Sequence, residues 1–96
     1  MKFNPSKYKF MSLEEIEGEE CNTPYKQMKV PVKLHGGNYT CYPIAYDGED
    51  TFFVCASFLP NPVEPGYVSL QELNSLPIEV DQTWPENSCV GSIPGL

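Results

Sequence analysis

Three runs of β-forming residues, cut apart by turn residues, constrain this chain more than any other feature. Lys26 to Leu34, Tyr39 to Tyr46 and Thr51 to Phe58 are rich in β-branched and aromatic side chains. Gly36-Gly37-Asn38 parts the first run from the second, and Asp47-Gly48 parts the second from the third. Turns this short join antiparallel neighbours, and glycine supplies the positive φ that a tight turn of matching twist requires. Pro31 and Pro43 lack amide donors, so each is expected at an edge, a bulge or an outward-facing position. In the third run Phe52, Val54, Ala56 and Phe58 share one face, expected to be the core face, and Thr51, Phe53, Cys55 and Ser57 share the other.

Short helices flank these strands. Ser12-Leu13-Glu14-Glu15 is a capping box with Met11 and Ile16 as its hydrophobic staple, and Gly18 offers a left-handed stop. The device recurs at Ser69-Leu70-Gln71-Glu72, with Val68 and Leu73 as the staple and Pro77 as the limit. Phe10-Met11 and Tyr67-Val68 each read as a strand end running into a helix. Three prolines between Leu59 and Gly66 predict a stiff loop. From about Trp84 onward the chain mixes Pro85, Gly91, Pro94 and Gly95, which predicts an irregular tail pinned by Trp84. With 96 residues there is room for one core. The expected architecture is a single α+β domain spanning residues 1–96, a small antiparallel β-sheet of three to four strands with one or two short helices.

Charge is distributed unevenly. All six lysines lie in the first 33 residues, with five glutamates among them; from Leu34 onward there are eight acids and no lysine, and the chain has no arginine. Direct nucleic-acid binding needs cations that displace counterions from phosphate, so this distribution argues against it and favours attraction to a basic protein surface. No run of about 18 apolar residues is present to span a bilayer, and no signal-like apolar stretch follows Lys2, so the expected compartment is the cytoplasm. There Cys21, Cys41, Cys55 and Cys89, without the close pairs that nucleate a zinc site, are expected as reduced and mostly buried thiols. A Cys41–Cys55 disulfide would need an oxidising compartment and a register setting the two opposite each other.

Catalytic constellations are sparse. His35 with Cys41 or Cys55 is the one pairing of nucleophile and base the chain offers, which defines an alternative reading as a small thiol- or metal-dependent enzyme. Gly36-Gly37 is followed by Asn38 and Tyr39, without the lysine or hydroxyl of a phosphate-binding loop. Asp47, Glu49 and Asp50 crowd one hairpin tip at a spacing too short for an EF-hand, and read as a solvated turn. No catalytic residue, metal or cofactor is expected.

The segments Tyr46-Asp47-Gly48-Glu49-Asp50-Thr51-Phe52-Phe53, Gly66-Tyr67-Val68-Ser69-Leu70-Gln71-Glu72-Leu73 and Leu76-Pro77-Ile78-Glu79-Val80-Asp81 together resemble a family of short bacterial proteins of unknown function carried on plasmids and other mobile elements. The resemblance spans residues 39–81, with the acidic turn running into Thr-Phe-Phe as its most specific part. Val54, Pro65 and Val80 stand where that family usually has glycine, leucine and arginine. The resemblance implies a setting, mobile DNA in a bacterial or phage cytoplasm, and no mechanism.

Glu14, Glu15, Glu17, Glu19 and Glu20 crowd the first helix and its exit, and the first acids suit the positive end of the helix dipole. Together with Asp47, Glu49 and Asp50 they form a candidate acidic surface that imitates the charge of a nucleic acid and blocks a cationic groove on another protein. The expected function is therefore a non-enzymatic acidic binding module, an accessory or counter-defence inhibitor with a basic protein partner. A third reading, a structural or assembly subunit, is favoured if the exposed aromatics among Tyr25, Tyr39, Tyr42 and Tyr67 form one patch.

Overall fold

A computed structural model of the chain describes residues 3–18 and 23–94. Both hairpins form where the turn residues predict them. Gly37, at φ +55°, is the first central residue of the two-residue turn between the paired Gly36 and Tyr39. Gly48, at φ +85°, lies in a longer loop over residues 47–50. Around these turns run β2 (Leu34–Gly36), β3 (Tyr39–Tyr46) and β4 (Thr51–Phe58), the last two with the bounds expected of them. Three further strands join them: β1 (Met11–Ser12), β5 (Glu64–Ser69) and β6 (Glu79–Val80). The sheet therefore has six strands, where three to four are expected. Its order is β5-β4-β3-β2-β6, and β1 pairs in parallel with the far end of β3.

Proline placement explains two of the differences. Pro43 is buried in the central strand at the register shift between Pro43 and Ala45. It falls between the part of β3 that pairs with β2 and the part that pairs with β1, where its missing donor costs no ladder bond. Pro31 interrupts the first run, so only Leu34 of that run enters β2. Tyr25–Gln27 instead forms a 3₁₀ turn, and Lys29 makes one isolated bridge to Cys89. Every second residue from Met28 to Leu34 is nonetheless buried, Met28 and Val30 in the core on one face of the sheet and Val32 and Leu34 in the core on the other.

Both faces of the sheet are covered, which corrects the expectation of one core face. On one, Phe52, Val54, Cys41 and Leu34 pack beneath helix α2 (Leu70–Ser75) and its buried Leu73. An aromatic arm completes this cover: Phe3 and Phe10 lie 5.8 and 5.5 Å from Phe52, ring to ring, and the Phe3 N–H donates to Asn74 Oδ1 at 2.9 Å. On the other, Cys55, Tyr42 and Ile44 pack beneath Ile16 of helix α1 (Leu13–Glu17) and the buried Val90 and Ile93. The tail thus returns to the core as far as Ile93 instead of fraying. Trp84 does pin it, since its indole N–H donates to Val30 O at 2.9 Å and its ring sits 5.3 Å from Tyr42.

Each helix starts at its predicted serine, and each capping box is formed by its amide half: Ser12 Oγ accepts from Glu15 N at 3.2 Å and Ser69 Oγ from Glu72 N at 2.9 Å. Gly18 ends α1 in an extended conformation, φ −74°, not the left-handed one expected. The predicted loop of prolines is shorter than expected because β5 already begins at Glu64 and contains Pro65 and Gly66. No helix among the described residues is long and apolar enough to cross a membrane.

Candidate functional site

The two strand-to-helix junctions flank a single hairpin loop. Ser12 pairs with Tyr46 and Ser69 with Thr51, so α1 and α2 both begin at the end of the sheet where β3 turns into β4. The register therefore gathers Glu14, Glu15 and Glu17 of α1 with Asp47, Glu49 and Asp50 of the loop. Glu72, in the first turn of α2, is not among them: it lines a groove beside β5 with Val54, Ala56 and Glu64. The sequence alone does not place it there, because only the pairing of β5 with β4 sets α2 beside that groove. Glu19 and Glu20 lie outside the described residues. Lys9 borders the concavity between Glu15 and Asp47.

These carboxylates do not all do the same work. Asp47 Oδ1 accepts from the amides of Glu49, Asp50 and Thr51 at 2.8, 2.9 and 3.1 Å, and these hydrogen bonds hold its carboxyl below the usual carboxylate range. Asp50 turns towards α2: its carbonyl accepts from Leu70 N at 2.6 Å and its Oδ1 from Gln71 N at 3.3 Å. Two of the three predicted loop acids thus shape the loop and cap a helix while keeping their charge at the surface. Glu14, Glu15, Glu17 and Glu49 are exposed.

His35 is not brought together with either thiol. It is exposed on β2 opposite Thr40, whereas Cys41 faces Leu34 on the other side of the sheet. Cys55 is on β4, separated from β2 by β3, a lateral distance of about 9.5 Å before any offset along the strands. Burial pushes the Cys41 thiol up to about 12 and also raises Cys55, whose sulfur lies 2.9 Å from the Tyr25 hydroxyl. Neither is poised as a thiolate. The two cysteines are free, and the register sets Cys41 opposite Ala56 and Cys55 opposite Tyr42, so they sit on opposite faces and no disulfide joins them. The half-exposed Cys89 differs: the Ser92 hydroxyl, 3.7 Å from its sulfur, is the main cause lowering its thiol below the ordinary value.

The four tyrosines do not all reach the surface. Tyr39 and Tyr42 are buried, while Tyr25 and Tyr67 are exposed. The two exposed ones lie on the same side of the sheet, the Tyr25 hydroxyl 2.9 Å from Cys55 Sγ and the Tyr67 ring 5.4 Å from Phe53. No family model matches the chain, and no match was found among curated proteins or solved structures.

Proposed function

We propose that this chain is a non-catalytic binding module whose acidic end engages a basic surface on another protein, one that itself handles nucleic acid. The observation that carries this reading is the convergence of Glu14, Glu15, Glu17 and Glu49 with the loop aspartates at one end of the sheet. With a formal net charge of −7, the chain attracts cations and repels phosphate. A cationic groove that binds DNA or RNA presents the complementary field, and occupying it would inhibit its owner. The resemblance over residues 39–81 supports a setting in mobile DNA, where such inhibitors are useful.

The test is capture of a basic, nucleic-acid-binding protein from the host at low salt, followed by competition between the chain and nucleic acid for the purified partner. Capture should weaken steeply as salt rises, because exposed charges are screened beyond about 8 Å at physiological ionic strength. The triple variant Glu14→Gln, Glu17→Gln, Glu49→Gln should lose it, since none of the three carboxylates caps or holds the fold. Capture that ignores both salt and this variant, or tight binding of DNA by the chain itself, would overturn the proposal.

A further inference from the structure

Strand β5 ends the sheet, and its ladder with β4 dictates which of its backbone groups face outward. The bond from Leu70 N to Asp50 O extends the ladder one step past the Thr51–Ser69 pair. Antiparallel pairs alternate, so Phe52–Val68, Val54–Gly66 and Ala56–Glu64 are the hydrogen-bonded ones. Pro65, Tyr67 and Ser69 then direct their backbone away from β4. Pro65 has no donor to waste there, but the N–H groups of Tyr67 and Ser69 and the carbonyls of Pro65 and Tyr67 form an open edge. Among the described residues no strand pairs with it.

Beside this edge, on the α2 face, lies a groove of about 330 Å³. Val54 and Ala56 lie along it, and Phe58, 56% exposed and 4.6 Å from the Tyr39 ring, flanks it. Its charged residues are Glu64 and Glu72, with no lysine among those lining it. Gly66 stands between groove and edge, and a Cβ built there would meet nothing within 4 Å. A neighbouring strand could therefore pass a long side chain across it.

We infer that β5 receives an extended segment of a basic partner, which adds to the sheet at Tyr67 and Ser69 and lays a lysine or arginine side chain over Gly66 between Glu64 and Glu72. Strand addition supplies sequence-independent affinity from the backbone, and the groove selects the side chain: methylenes against Val54 and Ala56, charge against two carboxylates and the Phe58 ring. A second copy of this chain fits poorly, because it would bring like charges together at the same edge. The inference rests on the partner being basic, as proposed above.

The full chain, isotope-labelled for NMR, is titrated at low salt with a synthetic peptide of about eight residues alternating lysine and threonine, and with its glutamine counterpart. The lysine peptide should shift and protect the Tyr67 and Ser69 amides, and the glutamine peptide should bind roughly tenfold or more weakly. Gly66→Val, at a position with no left-handed φ and nothing within 4 Å of an added Cβ, should keep the melting temperature and weaken the lysine peptide by about tenfold or more. Shifts confined to α1 and the 47–50 loop, with Gly66→Val binding like the parent, would overturn the β5 site while leaving the basic-partner reading standing. No peptide binding alongside intact capture of a basic protein would do the same; loss of both would remove the reading itself. Concentration-dependent shifts at Tyr67 without peptide would assign the edge to a second copy instead.

Discussion

Helices α1 and α2 begin with the same device and are held in different ways. Both follow a strand, both start at a serine that accepts from the amide three residues on, and both place an apolar residue next in the chain. In α2 that residue is Leu73, fully buried, and Asp50 caps the helix from another strand's turn. In α1 it is Ile16, only half-buried; no residue of the helix is buried, and β1 is two residues long. Five or six residues are far too few for a helix to persist in water on propensity alone. Capping therefore decides where each helix starts, and contacts from elsewhere in the chain decide how firmly it stays.

The most forceful way to break this comparison is to cut each anchor. Leu73→Ala should cost about 2–5 kcal/mol, the range for emptying a buried leucine site, whereas Ile16→Ala should cost roughly 1 kcal/mol. Urea unfolding of the two variants against the parent measures both. Equal losses would mean that α1 is anchored as firmly as α2.

Cysteine labelling sharpens the same contrast without changing a residue. Cys41 and Cys55 lie nearly back to back, Cys41 under the α2 cover and Cys55 under the cover that includes α1 and the Tyr25–Gln27 turn. A buried thiol reacts only when its cover opens, so the rates report local stability. Cys21 lies outside the described residues; of the other three, Cys89 should react first. Cys55 should follow about tenfold or more ahead of Cys41, equivalent to about 1.4 kcal/mol between the two covers. Mass spectrometry of alkylated peptides distinguishes the sites, and Cys41 reacting first would reverse the assignment of the looser face.

The contrast also shows which parts of the structure were legible in the sequence. β3, β4 and the starts of both helices were, because their signals are local: alternation, turn glycines and capping serines within a few residues. Of β5 only the end at Tyr67-Val68 was, because Glu64-Pro65-Gly66 opposes strand formation everywhere except at an edge where the missing donor faces outward, and that edge exists only once β4 is in place. The second covered face was hidden for a similar reason. Its buried Val90 and Ile93 come from a tail whose local composition reads as irregular, and Trp84 fastens that tail to Val30, 54 residues away in sequence. Of the candidate site, the carboxylates were visible by composition and their gathering was not, since it follows from two strand registers. Nor could the sequence divide them into the aspartates that build the loop and the glutamates left at the surface.

Removing the caps is a smaller perturbation. Ser69→Ala should cost about 1 kcal/mol, because α2 is tied to the core and its loss is felt throughout. Ser12→Ala should cost only a few tenths, because α1 can fray at little expense to the rest. Thermal melts of the two variants check the ratio, and the comparison fails if Ser12→Ala proves the more damaging.

The smallest expected effect is the most selective one. Asp47 binds three loop amides as a carboxylate, and its folded pKa lies below its unfolded value near 3.9. Its contribution is therefore complete above that unfolded value and is lost progressively as the pH falls from there through the folded pKa. Asp81, held low chiefly by the Thr83 hydroxyl, adds a loss of the same sign. Asp47→Asn keeps an acceptor oxygen but no charge to protonate, so it should unfold slightly more easily at neutral pH and show a flatter decline below about pH 4. The loop that Asp47 holds carries Asp50 to α2 and offers no such hydrogen bond to α1. Acidification should accordingly lower hydrogen-exchange protection at Leu70 and Gln71 before it changes that of Gly18, whose amide bonds to Glu14 within α1. Simultaneous loss at both helices would show that the loop supports them equally, and the difference between the junctions would then reside in Leu73 alone.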